Sequence, residues 1–222
     1  MDCEMLTLTN VRYKYVTRYM TVEALRGVEY EFEAGRLYAL RGPSGCGKTT
    51  LVSLIAGLDL PTEGEIRFEG RPTGKMNLAR HRRENVAVIY QSYNLLPQMT
   101  VAENVMYPME LNGIKPKAAR EKALELIGGV GLTESEFRRL PHMLSGGQQQ
   151  RVAIARALGT RVKMILADEP TGNLDSANTS NVITLLKELA NSRGYCVIVA
   201  THDESVARVA DTQLLMEDGR LK

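Results

Sequence analysis

Residues 37–58 constrain this chain most tightly: a short apolar run, a glycine-rich loop, then an apolar stripe at helical spacing. Leu37-Tyr38-Ala39-Leu40 reads as a buried strand, and Leu51, Leu54, Ile55 and Leu58 recur at the period of a helix, with Gly57 near its end. Between them, Gly42-Pro43-Ser44-Gly45-Cys46-Gly47-Lys48-Thr49 fits G-x-x-x-x-G-K-[ST], a loop that cradles nucleotide phosphates. The glycines let backbone N–H groups approach phosphate oxygens with no Cβ in the way. The helix N-terminus aims about half a charge at the same place. That is too little for a triphosphate, so Lys48 and a metal on Thr49 must supply the rest. The segment predicts a nucleoside triphosphate site.

The 222 residues carry a net charge of +2, too balanced to argue for nucleic acid. The one basic cluster, Arg80-His81-Arg82-Arg83, reads as a solvated helix face or loop. Three cysteines, Cys3, Cys46 and Cys196, show neither metal nor disulfide spacing and suit a reducing compartment. Met1-Asp2-Cys3-Glu4 lacks the order of a signal peptide, and no apolar run approaches the ~18 residues of a membrane span. Any membrane role is expected to come through a partner. With the end at Lys222 soon after the last expected strand, no regulatory C-terminal domain is expected.

Alternating patterns at Leu6/Leu8, Val11/Tyr13/Tyr15 and Val28/Tyr30/Phe32 predict antiparallel strands, with turns at Arg26-Gly27 and Ala34-Gly35. Further strands are expected over 65–68, 86–90, 162–167, 196–200 and 212–216, and helices over 101–111, 118–130, 152–158, 176–190 and 204–210. Gly159 is expected to close the third of these helices in a left-handed cap. Strands alternating with helices imply a mostly parallel sheet whose ligands gather at the strands' carboxyl ends. Gly42, Gln91, Asp168 and His202 all follow such an end. Asp168 is then a second holder of Mg²⁺ and Glu169 a candidate to orient or deprotonate water. In Leu144-Ser145-Gly146-Gly147-Gln148, Ser145 suits a helix N-cap, but two consecutive glycines are a poor choice for that purpose alone. They make sense where a helix beginning near Gln148–Arg151 must face an anion with its N-terminus. With Lys48 already serving one anion, the second requires another explanation.

The strings GPSGCGKTT, LSGGQQQ and ILADEP, then Asn173-Leu174-Asp175 and Thr201-His202-Asp203, follow the order of the ABC-transporter ATPase family, which the chain resembles over essentially its whole length. The resemblance implies an α/β fold: a RecA-like P-loop NTPase core with an N-terminal antiparallel β-subdomain and an inserted helical subdomain. It divides a single ABC ATPase domain, 1–222, into a β-subdomain (1–35 and 61–75), an α/β core (36–60, 76–91 and 160–222) and a helical subdomain (92–159). It also implies a head-to-tail homodimer with each ATP between the phosphate loop of one copy and the Ser145-Gly146-Gly147-Gln148 stretch of the other.

Carried across by motif, the resemblance has Gly42, Pro43, Ser44, Gly45, Cys46, Gly47, Lys48, Thr49 and Thr50 bind nucleotide. Tyr15 would stack on adenine, with Tyr13 the less favoured choice. Thr49, Gln91 and Asp168 would hold Mg²⁺, and Gln91 would also contact the attacking water. Glu169 would be the general base, His202 would hold the γ-phosphate, and Asp175 would sit at the dimer interface. The run 168–175, with Asn94-Leu95-Leu96-Pro97 and Thr100-Val101-Ala102-Glu103-Asn104-Val105, is most similar to the lipoprotein-release, macrolide-export and antimicrobial-peptide-resistance group, which includes a cell-division ATPase. Arg41 and Tyr90 depart from the usual apolar residue and Phe. The function implied is an ATPase on the cytoplasmic face of an integral membrane permease, docked beside Gln91. The competing readings are a soluble nucleic-acid or ribosome-acting ATPase, which would carry paired units or a basic extension, and a mechanical regulator that transports nothing.

Overall fold

The computed structural model describes residues 4–160 and 162–222; Cys3 lies outside them. The early alternation builds antiparallel sheet from two long strands. β1 (Glu4–Val16) pairs with β2 (Thr21–Glu33), and the chain reverses between them. Arg26-Gly27, expected as a turn, instead lies inside β2. The register steps from Val11 opposite Val28 to Arg12 opposite Arg26, which makes Gly27 the extra residue of a bulge. Its φ of 87° is in the left-handed region, and a Cβ there would stand 2.8 Å from Asn10 Oδ1.

The chain then runs through β3 (Leu37–Arg41), the glycine loop and α1 (Lys48–Ile55). β4 (Glu63–Phe68) returns to pair antiparallel with β1, and β5 (Arg71–Pro72) follows, so the first sheet has the order β2-β1-β4-β5. The basic cluster forms α2 (Leu78–Glu84), capped by Asn77. It is not wholly solvated. His81 is buried, with its Nε2 3.1 Å from the Ile55 carbonyl and its ring edge-on to Phe68, and burial holds its pKa down.

β6 (Val86–Tyr90) leads into helices α3 (Val101–Leu111), α4 (Pro116–Gly129), α5 (Glu134–Phe137) and α6 (Gly146–Leu158). Then come β7 (Met164–Asp168), α7 (Ser176–Arg193), β8 (Cys196–Ala200), α8 (Glu204–Val209), β9 (Thr212–Glu217) and β10 (Arg220–Leu221). The second sheet has the order β10-β9-β3-β8-β7-β6, parallel except for β10. Gly159 does not adopt the expected left-handed cap; its φ is −64°. Its use is close approach, since a Cβ would meet the Val105 carbonyl oxygen at 3.0 Å.

Both faces of the parallel sheet are covered, so its strands read as continuous apolar runs. Leu37 and Ala39 point to one core with Ile165, Val197 and the helices α3, α4, α6 and α7. Tyr38 and Leu40 point to the other, shared with α1 and the antiparallel sheet. Leu51, Leu54 and Ile55 anchor α1 there, each contributing ~1.5–3 kcal/mol on burial. The carboxyl ends of β3, β6, β7 and β8 therefore open at one edge, where the loops gather.

The loop after β6 is fastened by one buried side chain. Asn104 of α3 accepts from Leu96 N at 2.8 Å and donates toward the carbonyls of Leu96, Met99 and Thr100 at 3.0–3.1 Å. Asn104→Ala strips the Leu96 N–H and the Met99 carbonyl of their partner, while the Leu96 and Thr100 carbonyls keep the N–H groups of Met99 and Asn104. It is expected to cost about 2–3 kcal/mol and lower Tm by ~5–10 °C in a thermal melt.

Candidate functional site

The glycine loop owes its shape to crowding. Gly42, at φ 155°, would place a Cβ 2.2 Å from the Met216 carbonyl oxygen, and Gly47, at φ 109°, would place one 2.7 Å from that of Ala24. Only glycine lets the loop lie that close to β2 and β9. Lys48 is buried, with Nζ donating to the carbonyls of Gly42 at 2.8 Å and Pro43 at 3.1 Å. The ammonium is thus held across the mouth of the loop. Cys46 is buried beneath it, Sγ 4.0 Å from Nζ.

Around the loop lies a cavity of 580 Å³ lined by Tyr15, Ser44, Gly45, Gly47, Lys48, Thr49, Thr50 and Glu169, among others. Tyr15 closes one end, half-exposed, its hydroxyl 3.1 Å from Thr50 Oγ1. At the other end Thr49 Oγ1 donates to Asp168 Oδ1 at 3.2 Å. Burial pushes the Asp168 carboxyl up; the Thr49 bond and Lys48 pull it back, while neighbouring Glu169 adds to the rise. A hydroxyl and a half-buried carboxylate with spare lone pairs are the oxygen donors that Mg²⁺ takes. Among the described residues no group of three or more His, Cys, Asp or Glu could hold a metal ion.

Glu169 follows Asp168 with φ 47°, an uncommon value for a non-glycine residue, and its N–H donates to the Ala200 carbonyl at 2.8 Å. Its Oε2 accepts from Thr201 Oγ1 at 3.3 Å and lies 3.0 Å from His202 Nδ1. Strands β7 and β8 thus deliver a carboxylate and an imidazole to one point. Glu169 also lines a second cavity, rich in hydroxyls from Thr171, Ser176, Thr179, Ser180 and Ser205. Gln91 is tied to Asn173 by two bonds, its Nε2 donating to Oδ1 at 3.3 Å and its carbonyl accepting from Nδ2 at 3.1 Å.

Ser145 is the N-cap of α6, and its side chain and that of Gln148 close a reciprocal capping box. The helix starts at Gly146, two to five residues before the expected start near Gln148–Arg151, so both glycines are helical. Gly146 would place a Cβ 2.7 Å from the Tyr93 hydroxyl, and Gly147 one 2.2 Å from Asn178 Oδ1. None of Ser145, Gly146, Gly147 or Gln148 lines the cavity at the phosphate loop. Asp175 is the N-cap of α7: its carboxylate accepts from Asn178 N at 2.8 Å and from Asn178 Nδ2, which holds its pKa down.

Several residues at this site have a structural role that the sequence does not assign. Tyr93 and Asn94 both have positive φ, 61° and 49°, and Arg156 of α6 donates to both carbonyls, at 3.0 and 2.6 Å. A strained turn after Gln91 is thereby tied to the helix that begins at Ser145. Thr201 and Asn173, which stand in the quoted motif strings with no role attached, and Asn178 brace side chains instead: those of Glu169, Gln91 and Asp175.

The family model described as ABC transporter matches residues 25–172. The chain is 40% identical over 215 residues to the uncharacterized ABC transporter ATP-binding protein YclH of Bacillus subtilis (strain 168), covering 97% of this chain and 94% of that one. It is 42% identical over 220 residues to the macrolide export ATP-binding/permease protein MacB of Marinobacter nauticus, covering 98% of this chain and 34% of that longer protein. Two dimeric structures of the bacterial ABC transporter cassette MJ0796 superpose with TM-scores of 0.91 and 0.90 at 38% and 37% identity, each covering 98% of this chain and 97% of that one. The second is a post-hydrolysis state bound to ADP and Pi. With its phosphate loop, its Asp168–Thr49 contact and its Glu169–His202 pair in this frame, the chain belongs to the ABC transporter family as an ATP-hydrolysing cassette.

Proposed function

We propose that two copies of this chain pair head to tail around two ATP molecules and drive an integral membrane permease from its cytoplasmic face. The observation that carries this reading is a division of parts. The cavity at Lys48 is lined by the cradle, by Thr49 and by Glu169, with Asp168 bonded to Thr49 at its edge, while the capped glycine start of α6 lies outside it. A second copy, turned to bring its Ser145-Gly146-Gly147-Gln148 over the mouth, supplies N–H groups to the same triphosphate.

Tyr15 stacks on the adenine ring, and residues Gly42 to Thr50 hold the phosphates, with Lys48 leaving its two carbonyls for phosphate oxygens. Thr49, Asp168 and Gln91 would hold Mg²⁺, which when bound neutralises charge on the β- and γ-phosphates. Glu169 takes a proton from the attacking water as its oxygen bonds to phosphorus and the bond to ADP breaks. His202 steadies the γ-phosphate and, through Oε2, the orientation of Glu169. Asp175 meets the second copy at the interface.

The permease contact is an apolar groove of 430 Å³ between α2, β6, α3 and α6, lined by Leu58, Tyr90, Tyr107, Pro108 and Leu111 and rimmed by Arg82 and Arg83. Leu58 and Leu111 are more than half exposed, and no helix among the described residues is long and apolar enough to cross a membrane. A short helix from the permease fits there, beside Gln91. Similarity to the macrolide export protein MacB supports export; force transmission and a lipoprotein, peptide or drug-like cargo follow the wider group that the sequence resembles. Leu111→Asp is expected to leave basal ATPase within about twofold, since surface changes away from the site cost little. It should abolish recovery of the permease from detergent-solubilised membranes. A partner identified by mass spectrometry with transmembrane helices and a large extracytoplasmic domain supports the reading; persistence of that partner on Leu111→Asp overturns the groove.

A further inference from the structure

We propose that Tyr13 and Asp59 form a positioning latch that fixes the Tyr15 ring against the phosphate-loop helix and so sets the affinity for the base end of the nucleotide. The proposal rests on the reading of Tyr15 as the adenine wall.

Tyr13 and Tyr15 are two apart on β1 and therefore share a face of the sheet. Their rings meet edge to face, centroids 4.9 Å apart at 81°. Each hydroxyl reaches a different end of α1. Tyr15 reaches Thr50 in the first turn, at 3.1 Å. Tyr13 donates to Asp59 Oδ2 at 2.5 Å, beyond the last helical residue, Ile55. The acceptor is itself held, because Asp59 Oδ1 takes the N–H of Leu60 at 2.8 Å. The Tyr13 bond keeps the Asp59 carboxyl below its usual range and pushes the Tyr13 phenol up to about 12, so the donor stays protonated at working pH. The next residues are stitched along the same strand. Thr62 donates to the Arg12 carbonyl through N and Oγ1, at 2.9 and 3.0 Å, and Lys14 pairs with Glu63 at 3.3 Å.

Without this seam Tyr15 would sit at the root of a solvated reversal. Val16, Tyr19 and Met20 beyond it are 74%, 89% and 59% exposed. An aromatic on such a hinge must be ordered each time a base binds, and pre-ordering it lowers that cost. The latch removes the freedom in advance and refers the base wall to the same helix that positions the phosphates. The effect belongs to binding: a wall that touches the base equally in ground and transition states changes KM and leaves kcat.

The test compares Mg·ATP with Mg·tripolyphosphate, which has phosphates and no base. Tyr13→Phe and Asp59→Ala are each expected to weaken ATP binding about 3–10-fold in calorimetry, the worth of one hydrogen bond. The double variant should be no worse than either single one, as for two ends of one interaction. KM for ATP should rise in step while kcat changes less than about twofold, and tripolyphosphate affinity should hold. Equal weakening of ATP and tripolyphosphate, or no change in either, overturns the latch. Tyr15→Ala separates this failure from that of the underlying reading. If it weakens ATP and Tyr13→Phe does not, only the latch falls; if Tyr15→Ala leaves ATP binding intact, the adenine wall itself is misassigned and the latch falls with it.

Discussion

Glu169→Gln is expected to lower ATP turnover by about 10²–10³-fold while ATP binding persists and ATP-loaded dimers accumulate. The backbone at this position does not complicate the exchange. Glu169 sits at φ 47°, held by its N–H bond to Ala200, and glutamine enters the left-handed region at much the same cost as glutamate. Size is kept, and the amide oxygen still accepts from Thr201 and His202, which lie 3.3 and 3.0 Å from Oε2. What disappears is the capacity to take a proton from water. Phosphate release under saturating Mg·ATP reads the turnover, and light scattering with and without ATP reads the dimer. Turnover within about threefold of the parent would remove Glu169 from the role of base, since general-base contributions run from 10²-fold upward.

The parts of this architecture that sequence reasoning reaches are those where independent local signals coincide. Leu37-Tyr38-Ala39-Leu40, the glycines and the Leu51/Leu54/Ile55 stripe each call for the same strand, loop and helix, and the structure has β3, the loop and α1 there. Strands 86–90 and 196–200 are equally legible, because a sheet covered on both faces leaves an unbroken apolar run. What stays hidden is held by long-range contacts to backbone. Arg156 fastens the Tyr93–Asn94 turn from 62 residues away, and nothing in the periodicity of α6 marks it. Gly27 looks like a turn locally and becomes a bulge because β1 runs on past it to Val16. Gly159 has the composition of a left-handed cap, but the nearby Val105 carbonyl explains it better. His81 is the same lesson in α2: a charged string buries its one titratable ring under Ile55 and Phe68. The candidate site was legible as motifs. The braces that aim those motifs were not, since a side chain that holds another side chain has no spacing rule.

Gly147→Ala is expected to abolish ATP-dependent dimerisation and lower turnover about 10²-fold, the scale of losing a set of oriented phosphate donors, while each copy still binds Mg·ATP. Helix propensity argues the other way. Gly147 lies in the first turn of α6, and alanine there gains up to about 1 kcal/mol. Packing decides against it. The added methyl would stand 2.2 Å from Asn178 Oδ1, 2.3 Å from its Cγ and 2.9 Å from its Cβ. Asn178 cannot simply turn aside, because its Nδ2 spans both oxygens of Asp175, at 3.1 and 2.9 Å, and its N–H completes the cap of α7. Either that clasp opens or the start of α6 lifts, and both move surfaces that the second copy must meet. The cavity around Tyr15, Lys48 and Glu169 includes neither residue, so nucleotide binding to one copy is left alone. Asn178→Ala would not relieve the clash, because its Cβ remains; Asn178→Gly would, and in the Gly147→Ala background it should restore part of the turnover. Light scattering of the Glu169→Gln protein with and without Gly147→Ala checks the dimer directly. Dimers and turnover that survived the methyl would place the second triphosphate contact somewhere other than the start of α6.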